Sequence, residues 1–331
     1  MSREGAWCTR TIVTELTHLM TAAQLRIRAF EFIMYGSDIG HPGCAGILAV
    51  VFHFTLSTRL VHTIIFASCL VLTMGRLSRV RALQLVAGAV VGGPLVGCEI
   101  YGRLPSTWRD LPPLRVELSS EVDELVVILP GAGGRDANTN RIATALASKS
   151  SAVHEYDWQP YVGDTLRAPR NAQRVGVHLA KELARICSTA NSRMSVHLIG
   201  VSVGAFAADA AVETLKRASP SVHTKLTLLD PFTAMGLPGL ANPSSAFGVD
   251  RFGRTADDAV CVLNTDDPVP STNVPLRHCR NFDVTKAAAR QRFALLPGDS
   301  MHSWPCGWFG LVDGKLPAQP LMSRGAVFQV P

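Results

Sequence analysis

Charge is scarce in this sequence and metal-ligand spacing is absent. Asp, Glu, Lys and Arg make up 18% of the residues against 47% hydrophobic, an apolar surplus over an average soluble domain that needs a place of its own. Eight cysteines occur without a C-x-x-C pair or a Cys/His spacing of the zinc kind. That argues against a structural metal module and leaves disulfides open. The net charge is +6, but the basic residues are scattered and no basic run is interleaved with aromatics, so nucleic acid gains no support as a partner. The Gly-rich loop at Gly131-Ala132-Gly133-Gly134 completes neither G-x-G-x-x-G nor G-x-x-x-x-G-K-[ST], because residue 136 is Asp and no Lys follows. A nucleotide cradle is therefore not expected, and no cofactor is implied. At 331 residues the chain has ample material for a core, which excludes disorder as its general state.

The apolar surplus is concentrated between Gly40 and Tyr101. Gly40–Thr58, Leu60–Gly75 and Ala82–Cys98 contain no Asp, Glu, Lys or Arg and approach the ~20 residues of a helical span. Arg76, Arg79 and Arg81 stand immediately before the third run, as a cytoplasmic flank does. Residues 1–101 are thus expected to be a membrane-associated region, a pair of spans or one anchor, with everything after Tyr101 extracytoplasmic or lumenal. A second reading starts at Met74. The Arg cluster is then the n-region and Ala82–Gly97 the h-region of a signal peptide, with a mis-extended start before them. That stretch ends in Leu95-Val96-Gly97-Cys98, which resembles a bacterial lipobox. A buried helix is the plain alternative, but Gly88, Gly92, Gly93 and Gly97 weaken a helix in water; in lipid, small residues four apart let helices pack closely.

Pro105, Pro112 and Pro113 form a stiff connector, and 102–331 reads as a second, catalytic domain. Short β-branched apolar runs at Glu124–Leu129, Ala152–Trp158, Val196–Ile199, Leu226–Leu229 and Ala259–Leu263 alternate with helical patterns at Thr139–Ser148, Ala168–Thr189 and Gly204–Ala218. Alternation of this kind predicts an α/β fold with a mostly parallel central sheet flanked by helices.

The chemistry is read from Val196 to Phe206, a strand that runs into Gly200-Val201-Ser202-Val203-Gly204 and then a helix. G-x-S-x-G between strand and helix is a nucleophile elbow: the glycines permit a turn tight enough to hold the serine up at the sheet edge. Ser202 is the expected nucleophile; a small-residue turn is the plain alternative. A serine needs a base, and the base needs a carboxylate, in the chain order Ser, acid, His. Asp230, at the end of the next strand, is the leading acid, with Asp266 and Asp267 after the following strand as competitors. His302, in the turn-rich Pro297–Pro305 segment, is the favoured base and His278 the alternative. Val203 and either Ala132 or Gly133 are expected to supply the backbone N–H donors of an oxyanion hole.

With these residues in place the domain resembles the pancreatic-type lipase family of α/β hydrolases, over roughly Glu124–Asp267 and the His302 loop. Tyr156-Asp157-Trp158, Asn171, Arg174-Val175-Gly176 and Leu179-Ala180 look like that family's strand and helix before the elbow, and Leu229-Asp230-Pro231 looks like its acid-bearing strand end. The resemblance implies an α/β-hydrolase fold and makes Asp230 the catalytic acid and Asp266 structural. Departures are Pro130-Gly131 at the oxyanion loop and Val201-Ser202-Val203-Gly204 at the elbow, where the family usually has His-Gly and His-Ser-Leu-Gly. The stretch from His302 to Pro331 leaves no room for the family's β-sandwich domain.

The long Gly- and Pro-rich interval Pro231–Asp258 carries Phe232, Met235, Leu237, Leu240, Phe247 and Phe252. It reads as a lid or binding wall for an acyl chain, or else as a loop whose aromatics complete the core. Trp304 and Trp308 read as pocket or core. Cys279 and Cys306 could bridge the loops around the base, while Cys187 and Cys261 read as buried thiols. The expectation is a membrane-associated serine hydrolase acting on a lipid or other acyl ester. An acyltransferase on the same site, and a non-catalytic membrane-anchored binding protein on the same fold, are the alternatives.

Overall fold

A computed structural model of the chain describes residues 111, 113–116, 118–164, 166–189, 194–235, 246–269, 271–295, 300–318 and 322–331, all within the unit Gly97–Pro331. The expected membrane region, the Cys98 motif, Leu237 and Leu240 lie outside the described residues. Among the described residues no helix is long and apolar enough to cross a membrane.

The strands are β1 (Glu124–Leu129), β2 (Ser151–Glu155), β3 (Ser195–Val201), β4 (Thr224–Leu229), β5 (Asp258–Leu263), β6 (Arg280–Asp283) and β7 (Val327–Gln329). They form one seven-stranded sheet in the order β2-β1-β3-β4-β5-β6-β7, parallel at every pairing. The helices are α1 (Ala137–Leu146), α2 (Ala168–Thr189), α3 (Gly204–Ala218), the short α4 (Phe247–Arg251) and α5 (Trp304–Leu311).

Period-two alternation divides the core between the two faces of the sheet. Leu125, Val127 and Leu129 of β1 join the side chains of α2 and α3, including Val175, Leu179, Phe206 and Val212. Val126 and Ile128 face the other way, toward Ile142 of α1 and Trp304, Trp308 and Phe309 of α5. On the first face α2 and α3 cross closely at Gly176, where a Cβ would sit 2.1 Å from the Ala207 carbonyl oxygen. No larger residue fits that crossing without moving a helix.

The last two strands are not legible as apolar runs. β6 reads Arg-Asn-Phe-Asp, and its buried Asn281 is satisfied by backbone: Nδ2 donates to the carbonyls of Leu276, Cys279 and Ala326, and Oδ1 accepts from Leu276 N–H. A polar residue can therefore occupy a buried strand position. β2 ends at Glu155, short of the expected Trp158, and the buried Trp158 indole instead donates to the Pro130 carbonyl at 2.8 Å.

The Cys279–Cys306 bridge is not formed. Cys279 is a buried free thiol, and the buried Cys306 belongs to the core on the opposite face of the sheet. Cys261 is buried and Cys187 half-buried. Trp304 and Trp308 are core residues, not pocket walls. Phe247 and Phe252 pack on Phe206 of α3, with ring centroids 5.6 and 4.9 Å away, so these aromatics of the Pro231–Asp258 interval complete the core.

Candidate active site

Parallel strands bring their C-terminal ends to one edge, and the chemistry-bearing residues gather where β3, β4 and β5 end. At the end of β3 the backbone turns sharply into α3, with Ser202 at φ +51, a left-handed conformation costing about 1–3 kcal/mol for a non-glycine residue. The two flanking glycines are required by space. A Cβ on Gly200 would lie 2.7 Å from Ala205 Cα, and one on Gly204 would lie 2.3 Å from the Leu129 carbonyl oxygen. Ser202 N–H donates to the Leu229 carbonyl at 3.0 Å, and the Ser202 carbonyl accepts from Ala205 and Phe232 at 3.1 Å each. Ser202 is thereby bonded to the end of β4 and to the chain beyond Asp230, with the positive end of α3 beside it.

Gly131 lies against Ser202; a Cβ there would be 3.4 Å from Ser202 Cβ. Gly134 N–H closes a turn onto the Gly131 carbonyl at 3.1 Å, and the Trp158 indole holds the preceding carbonyl of Pro130. Asp136 then caps α1 in a capping box with Thr139. Among the described residues, no hydrogen bond is made by the N–H groups of Val203, Ala132 and Gly133.

Asp230, buried at the end of β4, is also left-handed at φ +45. Its Oδ1 accepts from Asn264 N–H at 3.1 Å, and its Oδ2 lies 2.9 Å from His302 Nδ1. His302 sits in a single 3-10 turn, Met301–Ser303, capped by Ser300. Two flanking bonds hold that turn: Asn264 Nδ2 donates to the Met301 carbonyl at 3.3 Å, and the Trp304 indole donates to the Val284 carbonyl at 2.8 Å.

A second carboxylate meets the same nitrogen. Asp267, buried after β5, places Oδ2 2.7 Å from His302 Nδ1. Thr272 hydroxyl donates to that oxygen, and Val269 N–H donates to Oδ1 at 3.1 Å. Asp266, the alternative acid of the sequence reading, turns outward and forms a two-pronged pair with Arg290 at 2.9 and 2.7 Å. The tight turn in which Asp267 N–H donates to the Asn264 carbonyl sends the consecutive carboxylates opposite ways. His278, the alternative base, is half-buried and among the described residues hydrogen-bonds the Asp250 carbonyl, at 3.1 Å through Nε2, away from Ser202 and Asp230.

The electrostatics follow from this crowding. Burial pushes the Asp230 carboxyl up to about 7, reinforced by Asp267 and opposed by the His302 bond. Burial also works against ionised Asp267, but the bonds from His302, Asp230 and Thr272 outweigh it and hold its carboxyl down to about 2. For His302 burial favours the neutral ring, and the two carboxylates overcome that and raise it to about 9. Asp230, Asp267 and His302 are also the group of possible metal ligands among the described residues. Their contacts of 2.7 and 2.9 Å are shorter than the roughly 3.3 Å edge of a tetrahedral ligand set at 2.0–2.1 Å, and fit a shared proton better than a metal.

Structurally the domain is similar to a provisionally assigned cell surface hydrolase from Lactobacillus plantarum WCFS1, at 15% identity and a TM-score of 0.39 over 60% of this chain and 95% of that one. It is also similar to a provisionally assigned hydrolase of the α/β superfamily from Xanthomonas campestris pv. campestris, at 17% identity and a TM-score of 0.33 over 59% and 99%. No family model and no curated protein matches the chain. Likenesses this distant assign it no activity.

Proposed function

We propose that this chain is a serine hydrolase of the α/β-hydrolase type that cleaves carboxylic esters through an acyl-enzyme on Ser202. One observation carries the reading: a strained serine at an elbow shares its sheet edge with a histidine whose Nδ1 is locked by buried carboxylates. Engaging Nδ1 fixes the tautomer and leaves Nε2 to accept a proton.

In the first step Ser202 Oγ attacks the ester carbonyl while its proton passes to His302 Nε2. The oxyanion forms facing the N–H groups of Val203 and Ala132 or Gly133. Collapse breaks the bond to the leaving oxygen, which takes the proton from Nε2. Water then enters, gives its proton to Nε2 and adds to the acyl carbon, and the acid departs with Ser202 Oγ reprotonated. Half-buried Phe232, tied to Ser202 through its backbone, offers an apolar wall to an acyl chain, and the resemblance to pancreatic-type lipases favours lipid or other acyl esters. In this reading the apolar runs before Tyr101 anchor the domain on an extracytoplasmic or lumenal face.

The test is hydrolysis of p-nitrophenyl esters of graded chain length by the full-length chain. Turnover that is lost in Ser202→Ala supports the proposal, and a preference for longer acyl chains supports its lipid form. Equal turnover in Ser202→Ala, or none in the folded wild type, contradicts it. Products captured by an added alcohol in preference to water point to acyl transfer instead.

A further inference from the structure

We propose that Asp267, not Asp230, is the principal positioning residue for His302, and that Asp230 is an auxiliary carboxyl on the same ring nitrogen whose negative charge is dispensable. The inference rests on His302 being the base of the reaction above, and it reverses the assignment that the family resemblance implies for the two strand ends.

The geometry distinguishes the two carboxyls. Asp267 is nearer to Nδ1, 2.7 against 2.9 Å, and it has two further donors, Thr272 hydroxyl and Val269 N–H. Among the described residues Asp230 accepts only from Asn264 N–H besides the imidazole, and its own side chain bonds Asp267. More donors stabilise a carboxylate anion, so Asp267 is where the negative charge settles. Two ionised carboxylates packed on one neutral ring would put two negative charges in a buried site, and the cheaper arrangement leaves a proton on one of them. Asp230 is the one with fewer donors to replace water. Among the described residues the titratable groups facing the ring are these two carboxyls; the Cys261 thiol of β5, which feels Asp230, is kept neutral chiefly by burial.

The proton inventory then closes with one moving proton. Ser202 gives its proton to Nε2, Nδ1 keeps its own and points it at Asp267, and the new imidazolium faces one carboxylate anion. The Asp230 proton stays where it is, and Nε2 passes its proton on to the leaving oxygen. Asp230 still holds the ring from the β4 side, and an amide at that position can do the same.

The experiment compares full-length wild type, Asp230→Asn, Asp267→Asn and His302→Ala. It reads the pH dependence of p-nitrophenyl acetate hydrolysis and, independently of activity, the NMR titration of the His302 ring. We expect Asp230→Asn to keep activity within about tenfold of wild type. Asp267→Asn should lose about a hundredfold or more and shift the His302 titration to lower pH by more than Asp230→Asn does. The proposal is overturned if Asp230→Asn is the more damaging substitution or the one that moves the titration further. Asp230→Asn decides the matter by itself if Asp267→Asn does not fold. Retention of activity in His302→Ala contradicts the hydrolase mechanism instead, while the titration still reports which carboxyl holds the ring.

Discussion

Ser202 and Asp230, at the ends of adjacent strands β3 and β4, both hold left-handed backbones, at φ +51 and φ +45. Two non-glycine residues in that region, at one edge, store strain that the rest of the domain offsets. Ser202→Gly is therefore expected to be more stable than Ser202→Ala by about 1 kcal/mol, with both inactive on esters. Thermal unfolding of the two variants checks this. An alanine variant at least as stable as the glycine one contradicts strain at the elbow.

The close approach of α3 to β1 makes a second prediction. Gly204→Ala forces a methyl to within 2.3 Å of the Leu129 carbonyl, so the elbow must shift at a cost of about 1–3 kcal/mol or more. A lowered melting temperature together with loss of esterase activity is expected. A variant with wild-type melting and turnover would show that the two elements are less tightly apposed.

Asp209 of α3 is buried and accepts only the Gly253 N–H by a direct hydrogen bond among the described residues, with burial pushing its carboxyl up to about 7. A raised carboxyl binds its proton more tightly folded than unfolded. Its contribution therefore falls as pH rises from the ordinary 3.8 through about 7, and the ionised form is the costly one. Asp209→Asn keeps an acceptor for Gly253 and removes the charge, so it should raise stability at pH 8 by ~2 kcal/mol or more while changing little at pH 4. Denaturant titrations at the two pH values decide it; equal effects at both would mean that Asp209 ionises freely.

The pH dependence of turnover follows from the raised imidazole. The neutral ring is the base, and His302 is lifted from 6.5 to about 9 by its bonds to Asp230 and Asp267 against the pull of burial. The acid limb of kcat/KM should accordingly rise with a midpoint above 6.5, toward about 9. A midpoint below 6.5 would mean that the carboxylates do not charge the ring.

Asp266→Asn and His278→Ala should leave kcat/KM within about twofold of wild type. Asp266 pairs with Arg290 at the surface, a contact worth roughly 0–1 kcal/mol, and among the described residues His278 hydrogen-bonds only a backbone carbonyl. A tenfold loss in either variant would return that residue to the site.

The first five strands and three long helices were legible because their apolar residues repeat with the period of the element, and α2 and α3 begin and end where that pattern does. β6 and β7 escaped because one is mostly polar and the other is three residues long at the sheet edge. The elbow was legible because two glycines and a serine, set between a strand and a helix, leave the backbone few other courses. Asp267 was not separable from Asp266, since the alternation that tells inward from outward ends with the strand and a turn decides the rest. Nor does any local signal show that Asp230 and Asp267 converge on one nitrogen, because that contact depends on the side-by-side pairing of β4 and β5. Cys279 and Cys306 look like partners along the chain only because sequence cannot tell which face of the sheet each core residue occupies.

The proposed hydrolysis requires Ser202 to be a nucleophile activated by His302. Its most direct measurement is treatment of the full-length chain with a fluorophosphonate, followed by mass spectrometry of the adduct, in wild type, Ser202→Ala and His302→Ala. A single adduct is expected on Ser202, absent in Ser202→Ala and formed at least about a hundredfold more slowly in His302→Ala. A folded wild type that takes no label, or a label carried elsewhere and unaffected by His302→Ala, would contradict it.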